Sequence, residues 1–129
     1  MVKRIFILAF LIFSRYAFSQ DTVKVASVLT PDQQAESDYN EGLERMKKQD
    51  FLTAVDYFTK SIVNRPDFEK AFNNRAVALT KLKRYNEAYA DINKVIVKTP
   101  QNPEAYFTKS LICFADGKKS HPFGSNQKH

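Results

Sequence analysis

The feature that most constrains the fold of this chain is an internal repeat, in which residues 35–68 correspond to residues 69–102. Sliding the sequence by 34 pairs small residues with small ones, apolar residues with apolar ones, and proline with proline. The pairs are Gly42 with Ala76, Ala54 with Ala88, Phe58 with Ile92, and Pro66 with Pro100. A unit of this length cannot bury its apolar face alone, so the period predicts an array of stacked units.

Each unit is predicted to contain two helices. The four helices are expected at residues 32–48, 51–64, 67–82 and 85–98. Ala54 and Phe58 stand four residues apart on one face of the second helix, which is the spacing of an amphipathic helix. Pro66 and Pro100 follow the second helix of each unit, where the missing N–H ends a helix. We expect Gly42 to lie over Ala54 and to let the two helices approach closely.

Residues 35–68 and 69–102 resemble two tetratricopeptide repeats. The motif of that family has a small residue in the first helix, Ala-x3-aromatic in the second, and a closing proline. The matching residues are Ala54, Phe58 and Pro66 in the first repeat and Ala88, Ile92 and Pro100 in the second. Ile92 replaces the aromatic residue of the motif, and Asp38 stands where the first helix of the family has an aromatic one. The resemblance implies an all-α, right-handed α-solenoid of helix-turn-helix repeats.

A third unit begins at residue 103 but is incomplete. Residues 103–116 match the first helix of a repeat, with Tyr106 at the aromatic position and Ser110 at the small one. A second helix would place Pro122 at its small position, and a proline inside a helix costs about 3 kcal/mol or more. We therefore expect one extra helix followed by a disordered polar tail at residues 117–129. That helix is either a cap of the array or the truncated end of a longer one.

The first nineteen residues have the three parts of a secretory signal peptide. Lys3 and Arg4 precede nine consecutive apolar residues, 5–13, and small residues follow at Ala17 and Ser19. Nine helical residues rise only about 14 Å, roughly half of the hydrocarbon core, which favours cleavage over an uncleaved membrane anchor. We expect a signal peptide at 1–19, a flexible segment at 20–31, and export to a periplasm or secretion, with the bacterial cell envelope as the favoured compartment.

Composition argues against an enzyme, a cofactor or a small-molecule substrate. The chain has one cysteine, Cys113, and its two histidines lie in the tail, so no multi-cysteine zinc site is available. Three glycines supply no phosphate-binding motif. Glu87 and Asp91 are expected to be solvated helix surface and not a catalytic pair. Without the signal, 17 basic residues face 14 acidic ones and are scattered, which argues against a nucleic-acid partner.

In the family that the chain resembles, the first helix of each repeat lines a concave groove. The resemblance implies these candidate peptide- or protein-binding residues: Tyr39, Leu43, Lys47, Asn73, Asn74, Val77, Lys81, Phe107 and Leu111. The two amides are suited to a peptide backbone, and Tyr39 and Phe107 to apolar contact. The alternative is that both aromatic residues pack helix against helix.

One subgroup of the family binds acidic chaperone termini through a carboxylate clamp. The clamp positions hold Tyr39, Leu43, Asn74, Glu104 and Thr108 in this chain. Only Asn74 matches the subgroup, and Glu104 would repel a carboxylate, so the resemblance does not extend to that ligand.

The sequence thus predicts a non-catalytic, exported adaptor or scaffold that holds a peptide or protein segment in a helical groove. Two alternatives stay open. The first is a fragment of a longer array that self-associates, as a homodimer, through the helix at 101–116 or through Cys113. The second is an adaptor that an uncleaved signal tethers to a membrane.

Overall fold

The computed structural model describes residues 28–117. Five helices follow one another: α1, Pro31–Lys47; α2, Phe51–Asn64; α3, Glu69–Lys81; α4, Tyr85–Lys98; and α5, Pro103–Ala115. No strand occurs between residues 28 and 117, and the predicted all-α helical-repeat fold is confirmed. The predicted signal peptide, residues 20–27 and the tail from residue 118 lie outside the described residues.

The helix ends follow from local sequence. Thr30 caps α1 through a capping box, in which its Oγ1 accepts from the Gln33 amide and Gln33 Oε1 accepts from the Thr30 amide. Because Pro31 suits the first helical position, α1 begins one residue before the predicted start and within the segment predicted to be flexible. Asp50 caps α2. Asn102 caps α5 by accepting from two amides at 3.0 and 3.4 Å.

The two hairpin turns occupy equivalent positions of the two repeats and have the same geometry. Gln49 after α1 and Lys83 after α3 both have positive φ, 59° and 61°. In each turn the next amide reaches back five residues: Asp50 N–H to the Arg45 carbonyl, and Arg84 N–H to the Leu79 carbonyl, at 2.9 Å. This is the helix-ending pattern that usually has glycine at the left-handed position, so a non-glycine residue holds the turn in both repeats.

The core lies between the helices of each pair and between neighbouring pairs. The repeat positions Ala54, Phe58, Ala76, Ala88 and Ile92 are fully buried in one cluster. Pro66 and Pro100 are not part of this cluster and lie two residues beyond the ends of α2 and α4. Between residues 28 and 117, no helix combines the length and apolarity needed to cross a bilayer.

The close approach of α1 and α2 at Gly42 involves the ring of Phe58. A Cβ atom built on Gly42 would lie 2.5 Å from Cε1 and 2.7 Å from Cδ1 of Phe58. These nearest side-chain atoms belong to the aromatic ring four residues after Ala54. Glycine is required here because the buried ring occupies the space of a side chain.

The environment of Asp91 differs from the prediction. The sequence placed it on solvated helix surface, but only 4% of it is exposed. Both of its carboxylate oxygens accept from Arg75, at 2.7 Å each, and Arg75 Nη1 also donates to Thr59 Oγ1 at 3.1 Å. Arg75 therefore joins α3 to α4 within the second repeat and to α2 of the first.

Candidate protein-binding groove

The predicted binding residues lie on α1, α3 and α5, the first helices of the three units. Their placement is Tyr39, Leu43 and Lys47 on α1; Asn73, Asn74, Val77 and Lys81 on α3; and Phe107 and Leu111 on α5. They do not form one continuous site. Some tie neighbouring helices together, and others surround an open cleft at one end of the array.

Tyr39 packs against the core and joins α1 to α3. Its half-buried ring lies 5.8 Å from the Phe58 ring centre and 5.0 Å from that of Phe68. Asn74 Nδ2 donates to the Tyr39 hydroxyl at 3.0 Å. Burial raises the pKa of Tyr39, and the carboxylate of Glu104 raises it further. Of the two roles that the sequence left open, helix-to-helix packing describes Tyr39.

Asn73 joins α3 to α5. It is 6% exposed, and its Nδ2 donates to Glu104 Oε1 at 3.0 Å. Its Oδ1 is buried and has no hydrogen-bond partner among residues 28–117. Since the Asn74 amide nitrogen also donates to the Lys70 carbonyl, the amide nitrogens that the sequence assigned to a peptide backbone are engaged within the fold.

Leu43 and Lys47 lie apart from the other candidates. Leu43 packs against the main core cluster, and Lys47 Nζ lies 2.6 Å from Glu44 Oε1. That hydrogen bond lowers the pKa of Glu44. The two residues border a shallow depression with Ser37, Asn40, Glu41 and Glu44, where the acidic side chains offset the lysine.

Three of the remaining candidates line a cleft of about 450 Å³ between α3 and α5. Val77, Lys81 and Leu111 line it, and so do residues that the sequence analysis did not select: Thr80, Lys83, Tyr85, Thr108, Phe114 and Ala115. Leu111 is 41% exposed and Phe114 87%. The spacing of Leu111 and Phe114, three residues apart on one helix face, was the signal that could have identified Phe114.

Phe107 is exposed on α5 and does not line the cleft. Its ring is 65% exposed, so of the two aromatic candidates it is the one that does not pack helix against helix. Phe107, Leu111 and Phe114 share one side of α5, because steps of four and three residues return to the same helix face. Together they form an apolar edge along the cleft.

The charge at the mouth of the cleft is positive. Lys81 and Lys83 are exposed lining residues. Neither forms an ion pair with any residue between 28 and 117. The same part of the chain has no group of three or more His, Cys, Asp or Glu side chains placed to hold a metal ion. The cleft thus offers apolar contact and two ammonium groups.

Known proteins resemble this chain over about half of its length. A 64-residue segment is 38% identical to a protein SGT1 homolog of Oryza sativa subsp. japonica, covering 50% of this chain and 17% of the relative. Hsp70-Hsp90 organizing protein 3 of Arabidopsis thaliana is 31% identical over 80 residues, 62% of this chain and 14% of the relative. Serine/threonine-protein phosphatase T of Aspergillus oryzae is 32% identical over 71 residues, which cover 55% of this chain and 15% of the relative. No protein-family model matches the chain.

These relatives contain tetratricopeptide repeats, and the two hairpins of the structure recur with the period of that fold. The repeat region of the chain is similar to the tetratricopeptide repeats of these relatives. It spans less than a fifth of the length of the three relatives named above, so the likeness concerns the repeat region alone. In this repeat region the cleft lies where α5 meets α3 and the start of α4.

Proposed function

We propose that the chain is a non-catalytic protein–protein interaction module that holds a segment of a partner protein in the α3–α5 cleft. The observation that carries this proposal is the exposed apolar edge of Leu111 and Phe114 beside a cleft of about 450 Å³. A fold that leaves large apolar side chains exposed around a concavity gains by burying them against a ligand.

The ligand that fits is a peptide segment with a large apolar side chain and a nearby carboxylate. The apolar side chain enters between Val77 and Leu111, and the carboxylate pairs with Lys81 or Lys83. The positive mouth raises the association rate and selects acidic segments, whereas the apolar wall supplies most of the affinity.

Capture of an acidic chaperone terminus is not part of this proposal. The Arabidopsis relative is named for organising Hsp70 and Hsp90, and the subgroup that binds such termini uses lysine where this chain has Glu104. The Glu104 carboxylate accepts from Asn73 and lies near Tyr39, whose pKa it raises. A ligand carboxylate placed there would meet a like charge.

Selection from a phage-displayed library of random 15-residue peptides tests the proposal. We expect the selected peptides to share an apolar residue flanked by Asp or Glu. Leu111→Asp should weaken binding about tenfold or more, because it places a charge in the apolar contact. Val97→Asp is the matched control, since Val97 is 81% exposed on α4 and does not line the cleft. Equal loss in both variants, or no selected consensus, would contradict the proposal.

We also propose that the protein is exported, on the strength of the charged, apolar and small-residue parts of residues 1–19. Fractionation of the source cells with N-terminal sequencing of the recovered protein tests this. A mature chain beginning at Gln20 in the exported fraction is expected. An intact N-terminus in a membrane fraction would favour the tethered alternative, and an intact N-terminus in the cytosol would refute export.

A further inference from the structure

Helix α5 has a second open face, separate from the cleft, which we call the α5 outer face: Tyr106, Lys109, Ser110 and Cys113. Tyr106 and Ser110 are exposed, and Lys109 and Cys113 are half-buried. The equivalent residues of α3, one repeat earlier, are Phe72, Arg75, Ala76 and Leu79. Phe72, Ala76 and Leu79 are buried in the core cluster that includes α4, and Arg75 is paired with Asp91 of α4. A face covered by a helix in the second repeat is thus open in the third unit.

The small position in the first helix of each unit indicates what packs against this face in the first two repeats. Gly42 is buried against the Phe58 ring of α2, and Ala76 is fully buried in the cluster that contains Ile92 of α4. Ser110 occupies the equivalent position on α5 and is exposed. Among residues 28–117, Tyr89 of α4 contacts this face at Cys113, with its hydroxyl 3.3 Å from the Sγ atom. Ser110 is exposed and leaves room for a bulky apolar side chain of a partner.

Lys109 adds a charge requirement. It occupies the position of Arg75 in the third unit, and its Nζ donates to Asn93 Oδ1 at 3.1 Å. Asn93 in turn occupies the position of Thr59, which accepts a hydrogen bond from Arg75 and lies on the helix preceding α3. Lys109 thus makes the same contact with the preceding helix as Arg75 does. Arg75 also pairs with Asp91 on the following helix. Lys109 has no equivalent carboxylate among residues 28–117, where it forms no ion pair.

We propose that the α5 outer face docks an amphipathic helix of a partner protein that carries a small residue, an acidic residue three positions later, and a bulky apolar residue four positions later. The apolar side chain packs over Ser110, and the acidic one pairs with Lys109. The precedent for this pattern is α4 itself, in which Asp91 pairs with Arg75 of α3, and Ala88 and Ile92 are buried in the core cluster that contains Ala76.

The chain cannot supply this helix from a second copy in its folded form. The full small, acidic and bulky pattern occurs at Ala35, Asp38 and Tyr39 and again at Ala88, Asp91 and Ile92, and both sets are packed within their own repeats. Residues 118–129 place Pro122, Ser125 and Asn126 at the small, acidic and apolar positions, so they do not carry the pattern. The occupant that we propose is a helix of another polypeptide, whose carboxylate complements the ammonium group of Lys109. This inference does not rest on the cleft proposed above, because it uses the other face of α5.

A peptide with the sequence of residues 85–98, lactam-bridged to hold it helical and labelled with fluorescein, is the probe. Fluorescence anisotropy with the full-length protein should show saturable binding. Lys109→Glu should weaken it about tenfold or more, because like charges then meet at a desolvated contact. A probe with Asp91→Lys should regain affinity for the Lys109→Glu protein. This charge exchange separates docking from a general loss of fold, which circular dichroism of each variant checks.

Two further variants distinguish the α5 outer face from the cleft, and a partner helix from a second copy of the chain. Ser110→Trp fills the open position at an exposed site and should abolish probe binding, whereas Leu111→Asp on the cleft side should leave it unchanged. The reverse result would place the probe in the cleft and overturn the proposal. Absence of probe binding, or binding that ignores charge exchange, would also overturn it. A wild-type dimer in sedimentation that Ser110→Trp dissociates would assign the face to a second copy instead.

Discussion

Arg75 and Asp91 form a two-point ion pair inside the second repeat, with Nε and Nη2 of the arginine each 2.7 Å from a different carboxylate oxygen. The side chains are 18% and 6% exposed. Planar two-point pairing satisfies both oxygens of the buried carboxylate. The remaining Nη1 donor reaches Thr59, so this single guanidinium connects three helices and fixes the register of one repeat on the other.

Removing one member of this pair should destabilise the fold strongly. Asp91→Ala leaves a partly buried guanidinium without its counter-ion, for which a loss of about 3–5 kcal/mol in the free energy of unfolding is typical. Urea denaturation followed by circular dichroism measures it. The double variant Arg75→Leu with Asp91→Leu should recover part of the loss, because no buried charge then remains. Losses that simply add would refute the coupling.

The exposed pair of Arg84 and Glu87 provides the matched control. It has the same two-point geometry, at 2.8 and 2.7 Å, and the arginine lowers the pKa of Glu87. Both groups are solvent-exposed, and such pairs contribute little to stability. Glu87→Ala should leave the urea midpoint unchanged within error, so that the contrast with Asp91→Ala isolates the effect of burial.

Gly42→Ala should destabilise the protein even though alanine favours helices by about 1 kcal/mol over glycine. The added methyl group would lie 2.5 Å from the fully buried ring of Phe58, and overpacking of this kind costs about 1–3 kcal/mol. Thermal and urea denaturation should show a net loss. Phe58→Leu in the Gly42→Ala background should be less harmful than the sum of the two changes. The exposed Ser110→Ala is the control, and a more stable Gly42→Ala would contradict the packing argument.

Gln49→Gly should stabilise the protein. Gln49 has φ 59°, in the left-handed region where a side chain costs about 1–2 kcal/mol, whereas glycine adopts it readily. Loss of more backbone entropy on folding offsets part of this gain, so a net increase of about 0.5 kcal/mol is expected. Lys48→Gly, one residue earlier at φ −80°, should destabilise. If both substitutions shift the urea midpoint in the same direction, the turn geometry is not the cause.

Tyr39 should make the protein less stable at alkaline pH. Burial raises its pKa above the usual value of a tyrosine, about 10, so the folded chain holds the phenolic proton more tightly than the unfolded chain does. Stability from this group is therefore complete below about pH 10 and is lost as the pH rises through the folded-state value. Urea midpoints from about pH 8 to 11 should fall less for Tyr39→Phe than for the wild type. The exposed Tyr106→Phe is the control and should keep the wild-type slope.

The sequence predicted the helices well because their signals are local. The bounds of α2 and α4 agree with the prediction, and those of α1, α3 and α5 differ by one or two residues, because caps, prolines and apolar spacing act within one turn. The hydrogen-bond and ion-pair partners of the polar side chains could not be predicted in this way. Asp91 on α4 pairs with Arg75 on α3, and Asn73 on α3 donates to Glu104 on α5. Such pairs depend on how the units stack, which a repeat period alone does not specify.

The order of local stability along the array can also be predicted. Helix α3 is buried against both repeats, whereas α5 is held mainly by Ala105, Thr108 and Ile112 on one side. Because local unfolding is easiest where few apolar groups are buried, amide hydrogens of α5 should exchange faster than those of α3 in hydrogen–deuterium exchange. Ile112→Ala should accelerate exchange in α5 with little effect on α1 and α2, since solenoid units contact only their neighbours. Uniform acceleration along residues 31–115 would instead mean that the array unfolds as one cooperative unit and that α5 is an integral part of it.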